Sequence, residues 1–233
     1  MDLDETKIPP FETHDLRKNL TKFLDADFKG HKVGNYKFGV YAFFDYDNEP
    51  IYVGQTNEML RTRIRRHLTN QRTDAVAMSV LDPFEVYEIE VWPLPQFGGL
   101  TKKRDPDRYR DACEHLDALE FAIFEKAIVE SEFKAILNEK DPPTPKVSVP
   151  IPESFRGKVV SDEVYKIRSH PDYRIARRAF TLARLAQVIS ERQVQRGLRK
   201  ALLTQAKRLQ WLAQRRFEHA TGSNKSHRTR SDE

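Results

Sequence analysis

Residues 36–54 read YKFGVYAFFDYDNEPIYVG. Tyr36 to Phe44 is dense in aromatic and aliphatic side chains, which predicts a strand. Asp45 to Pro50, DYDNEP, gathers turn-forming residues. Ile51 to Val53 predicts a second short strand that ends at Gly54. The two runs are close enough to pair as an antiparallel hairpin. Tyr41 and Tyr52 then lie on adjacent strands, where their hydroxyls can share one face. For either tyrosine alone, an ordinary strand aromatic is the simpler reading.

Outward from the hairpin, Leu16, Leu20, Phe23 and Leu24 repeat at helical spacing in the N-terminal stretch. Glu58 to Asn70 reads as a helix with Leu60, Ile64 and Leu68 along one stripe. Arg63 and His67 are one turn apart on that helix, a spacing that puts them on one face. Arg61, Arg65 and Arg66 crowd the same helix, as a solvated basic face or as DNA contacts. Pro83 to Leu94 predicts a third strand and Asp111 to Phe133 a second long helix. The segment from Trp92 to Arg110 looks inserted. Its Lys102, Lys103 and Arg104 either touch DNA or belong to a surface loop, as do Arg108 to Arg110. The order β-β-α-β-α predicts an α+β domain with a small three-stranded mixed or antiparallel sheet flanked by helices.

Within the second helix, Glu120 and Glu125 stand among apolar neighbours. Ala122, Ile128, Phe121 and Val129 lie three or four residues from Glu125. A carboxylate in such company needs a cation or hydrogen bonds, so a divalent metal or a salt bridge is expected there. Asn138 follows the helix and can lock local geometry by hydrogen bonding.

Asp141 to Pro152 holds five of the 13 prolines and reads as a linker. Beyond it, Tyr173 to Phe217 has helical patterning with no proline. A capping-box pattern at Ser190 to Gln193 predicts a break and two helices. Trp211 reads as core. The expected division is 1–35 as an N-terminal helical extension, 36–140 as the sheet domain and 141–152 as linker. A basic helical region over 153–220 and a disordered tail over 221–233 complete it.

The chain has 233 residues, 39% hydrophobic and 32% charged, enough for a sizeable core. The one cysteine, Cys113, excludes an internal disulfide and a Cys-based zinc site. No apolar run approaches a membrane span. Met1 to Lys7 is acidic and lacks an apolar signal-peptide core, so a soluble cytoplasmic protein is expected. The net charge of +5 is uneven. Residues 1–150 carry 21 Lys/Arg against 27 Asp/Glu, and residues 151–233 carry 19 against 8. A basic C-terminal third suggests a polyanion as partner, with a solvated helix surface as the alternative.

Taken together, Gly39-Val40-Tyr41, Tyr52-Val53-Gly54, Arg63-x-x-x-His67, Glu125 and Asn138 resemble the GIY-YIG nuclease family over roughly residues 36–139. The resemblance implies a metal-dependent DNA endonuclease that hydrolyses phosphodiester bonds, in restriction, defence, mobile-element transfer or repair. It implies that Tyr41 helps to deprotonate the attacking water, its pKa lowered by nearby cations. Tyr52 would line the site, Arg63 would neutralise the scissile phosphate and His67 would assist proton movement. Glu125 would hold a single Mg²⁺ or Mn²⁺, with Glu120 as the competing ligand, and Asn138 would be structural support. Gln55 stands where several relatives carry a lysine. The C-terminal helices are expected to pack on this module or to form a homodimer, and to supply DNA affinity from an arginine-rich outer face. The alternative is a non-catalytic nucleic-acid-binding or dimerising protein on the same fold.

Overall fold

The computed structural model describes residues 10–69 and 80–221. The tail expected to be disordered, the start of the N-terminal extension and Asn70 lie largely or wholly outside them. Helix α1 (Phe11–Asp25) leads into a two-stranded ribbon, β1 (Asp27–Phe28) and β2 (His31–Lys32). The expected hairpin follows as β3 (Gly39–Phe44) and β4 (Pro50–Thr56), which pair antiparallel with Tyr41 opposite Gly54 and Phe43 opposite Tyr52. Asp45 Oδ1 closes the turn by accepting from the backbone N–H groups of Asp47 (2.8 Å) and Glu49 (3.1 Å). Asn48 takes a positive φ of 61° in that turn, a conformation asparagine tolerates.

Helix α2 (Leu60–Leu68), strand β5 (Glu88–Pro93) and the long helix α3 (Pro106–Glu130) come next. The stretch expected as an insertion is only partly one. Its start ends β5, Pro95–Phe97 forms a single 3₁₀ turn, and α3 begins at Pro106. After the proline-rich segment, β6 (Phe155–Lys158) joins the sheet, and α4 (Asp162–Arg168), α5 (Pro171–Glu191) and α6 (Arg196–Ala220) complete the chain.

The fold is α+β, with a helical C-terminal region as expected. The sheet has four strands rather than three, ordered β4-β3-β5-β6 and antiparallel throughout. The fourth, β6, falls within the stretch expected to be helical. Phe-Arg-Gly-Lys is short and polar, and it makes a strand only by pairing with β5. Tyr41, Phe43, Ile89 and Val91 face one layer, where they meet α1, α2 and residues of α5 and α6. Val40, Ala42, Phe44 and Val53 face the other, against α3. The strand period of two divides one short sequence between two cores.

Ion pairs bind the two halves of the chain together. Asp45 accepts from Arg174 (3.1 Å), Arg178 (2.9 Å) and Arg208 (2.6 Å), all buried. Arg178 also reaches Glu85 at 2.8 Å and Arg174 reaches Asp47 at 2.7 Å. Arg168 bonds Glu12 of α1, and Arg177 bonds Asp82. Much of the expected arginine-rich outer face is therefore internal.

Candidate active site

β4 is one of the two edge strands, and the candidate site straddles it. Tyr41 points to the α2 side of the sheet. Gln55, opposite Val40, points to the α3 side. The gap between them is kept by Gly54. A Cβ there would sit 2.6 Å from the Tyr41 hydroxyl and 2.9 Å from the Tyr52 ring. Only glycine leaves that space without moving a tyrosine.

On the α2 side, the Tyr41 hydroxyl lies 3.1 Å from His67 Nε2. The Tyr52 ring is 6.2 Å from Tyr41 and 5.1 Å from His67, centroid to centroid. Arg63, one turn before His67, is close enough for its charge to act on Tyr41. Burial pushes the Tyr41 phenol well above 10, and Tyr52 adds to this. Arg63 pulls the other way and does not prevail. The expectation that cationic charge lowers Tyr41 is thus corrected. The tyrosine is fully buried, and desolvation of a phenolate costs more than one neighbouring guanidinium returns.

Across the strand, Gln55 Nε2 donates to Asp117 Oδ1 at 2.6 Å. Glu120 lies one turn further along α3. Its pKa is pushed up to about 7, first by burial and then by Asp117, with Gln55 and Arg63 pulling it back. Arg63 therefore faces both sides of the strand. A cavity of about 290 Å³ lies here, lined by Gln55, Arg63, Cys113, Asp117 and others.

Glu125 is not with them. It is exposed on α3, contrary to the expectation that it sits among apolar side chains. The reason is helical phase. Ala112, Leu116, Leu119, Ile123 and Ala127 form the buried stripe of α3. At roughly 100° per residue, Glu120 flanks that stripe and Glu125 lies almost opposite it. That stripe is present in the sequence and is the signal that separates the two. Asp117, which sequence reasoning missed altogether, lies about 60° round the helix from Glu120 and is identified by its bond to Gln55 rather than by the stripe.

Asn138 ties the chain after α3 to β4. Its amide accepts from Val53 N–H at 3.1 Å and donates to Val53 carbonyl at 2.7 Å, and Leu137 N–H donates to the Ile51 carbonyl at 2.8 Å. This strap occupies the outer edge of β4. The arginines expected at DNA have protein partners: Arg61 bonds Asp25 (2.6 Å), Arg65 bonds Thr21 (3.1 Å) and Arg66 bonds Glu58 (3.1 Å). Lys102 and Lys103 are exposed, and Arg104 is tied to Thr101 and Gly99.

The antiparallel hairpin carries the paired tyrosines, and the Arg–His helix stands beside it. Residues 37–97 match the GIY-YIG catalytic domain family. No curated protein and no solved structure matches the chain. Asp117, Glu120 and Asn138 lie beyond the matched span and come to the site through the fold alone. Among the described residues, no helix is long and apolar enough to cross a membrane.

Proposed function

We propose that the chain is a metal-dependent DNA endonuclease cutting at the edge of β4. The observation that carries this reading is the Tyr41 hydroxyl 3.1 Å from His67 Nε2, with the Arg63 charge one helical turn from His67 acting on the same phenol. As a buried phenol, Tyr41 can pass its proton to a neutral His67 while taking one from an attacking water. The pair thus moves a proton without a free phenolate. Arg63 neutralises the scissile phosphate, where charge grows in the transition state. Tyr52 walls the site and fixes the His67 ring. Glu120, in place of Glu125, is the carboxylate positioned to hold one Mg²⁺ or Mn²⁺. When bound, such a cation polarises the phosphate and lowers the pKa of water.

The test is a nicking assay on supercoiled plasmid with Mg²⁺ and with Mn²⁺. Wild type should nick. Tyr41→Phe should lose on the order of 10²–10⁴ in rate, the usual size of an acid–base contribution. Glu120→Ala should be silent, and Glu125→Ala should cut like wild type. Binding without any cutting, in every DNA form tried, would move the non-catalytic reading ahead.

A further inference from the structure

A second cavity, of about 360 Å³, lies at the turn end of the hairpin, away from Gln55. Asp47 and Arg174 line it together with one face of α6, where Leu212, Arg215, Arg216 and His219 recur at helical spacing. Arg215 is exposed and lies 4.4 Å over the Trp211 ring, which steadies its guanidinium at the cavity. Arg216 gives Nε and Nη2 to Asp172. Arg174 is 2% exposed. Its Nη1 and Nη2 go to Asp47 and Asp45, while Nε is buried with no hydrogen-bond partner. Glu85 Oε2 stands 3.6 Å away, an ion pair without a hydrogen bond.

The charges around this cavity do not balance. Four cations, Arg174, Arg178, Arg208 and Arg215, share three carboxylates, Asp45, Asp47 and Glu85, among the described residues. Arg215 has the longest of these pairings, 3.8 Å to an Asp47 that Arg174 already holds at 2.7 Å. The Glu49 charge acts on Arg208, but its oxygens are taken by the Ser131 hydroxyl and the Glu132 N–H. Arg208 also keeps Nε and Nη1 buried and unbonded. Buried donors without acceptors are costly. An anion in the cavity supplies both the missing acceptor and the missing charge.

We propose that this cavity binds a phosphate monoester, either the terminal phosphate of a nucleic acid or a free phosphate ester. A monoester offers three acceptor oxygens and close to two negative charges, where a carboxylate offers two oxygens and one charge. Guanidinium groups that converge from two helices suit the larger anion. Arg215, the least committed of the arginines, makes the main contact. His219 adds a ring N–H, and Arg174 supplies charge from the buried wall. Leu212 gives that wall an apolar patch on which a sugar can pack. The bound group joins the hairpin turn to α5 and α6, so occupancy stabilises the fold by mass action. The site is separate from the cutting site and does not depend on it.

Melting and calorimetric titration of the full chain, in EDTA so that no DNA is cut, test this. The probes are inorganic phosphate, adenosine monophosphate, and one DNA strand with and without a 5′-phosphate. Wild type should melt higher in phosphate than in chloride at equal ionic strength. Arg215→Ala should weaken phosphate binding at least tenfold, and Arg215→Lys should weaken it less. Lys207→Ala, which removes an exposed charge of α6 outside the cavity, should bind like wild type. Melting without ligand checks that each variant folds. Tighter binding of the 5′-phosphorylated strand, lost in Arg215→Ala, supports the site and identifies a nucleic-acid end as the source. Tighter binding of adenosine monophosphate than of either strand, lost in the same variant, supports it with a free ester as the source. Three results overturn it: no effect of phosphate on wild type, unchanged phosphate affinity in Arg215→Ala, or strand binding that ignores the 5′-phosphate with no binding of the small probes. The nicking assay decides the nuclease reading separately.

Discussion

Gly54 sets the tightest residue-scale constraint. Its missing side chain is the space into which the Tyr41 hydroxyl projects. Gly54→Ala should cost about 1–3 kcal/mol of stability, as overpacked sites do. It should lower nicking on the order of 100-fold, because a tyrosine displaced by about 1 Å no longer meets His67. Melting and nicking measured on one preparation check both numbers. The tyrosines, Arg63 and His67 are legible in the sequence because they sit on short elements with simple periodicity. The carboxylate proposed for the metal is harder to read. Two glutamates five apart look alike in composition, and only the phase of the buried stripe on α3 tells them apart.

Among elements, the edge strand depends on a strap that has no regular secondary structure. Leu137 and Asn138 satisfy the outward backbone groups of Ile51 and Val53. Asn138→Ala would leave two groups of Val53 without partners, at about 1–3 kcal/mol each. Amide exchange at Val53 should speed up in this variant, with that at Phe43 on the inner strand less affected. The α5–α6 turn abuts the strap. Gly197 lies so close to the Glu139 carbonyl that any side chain there would collide with it. Arg192, Arg196 and Arg199 at this turn are exposed, and among the described residues their side chains meet no ion-pair or hydrogen-bond partner. On the proposed nuclease reading, their guanidinium groups are the ones to test as contacts to a DNA backbone. Replacing all three by alanine should flatten the slope of log affinity against log salt by roughly 0.9 for each phosphate left without its cation. The helices are readable from their apolar stripes. β6 is not, because its strand character comes from its partner β5.

At the scale of the molecule, the opposed charges of the two halves meet inside. The sequence shows the imbalance but not where it is neutralised, since Asp45 meets partners 129, 133 and 163 residues away. Burial pushes the Asp45 carboxyl up, but Arg208, Arg174 and Arg178 outweigh it and hold its pKa below 3.8. Its stabilisation is therefore complete above 3.8 and is lost as pH falls through the folded value. Asp45→Ala should cost about 3–5 kcal/mol at neutral pH, because buried arginines lose their counter-charge. Urea denaturation from pH 7 downwards should show the gap between wild type and Asp45→Asn closing below about pH 4.

The same cluster decides how this chain can be recombined. Asp45 sits in the turn that joins the two tyrosine-bearing strands, and its partners belong to the last two helices. A graft of the catalytic hairpin onto a foreign DNA-recognition domain would carry an acidic turn with nothing to neutralise it. A graft of the helices would carry buried arginines with no acid to meet. The hairpin and the last two helices are thus inherited together, and a folded chimera must exchange the turn and the helices as one unit.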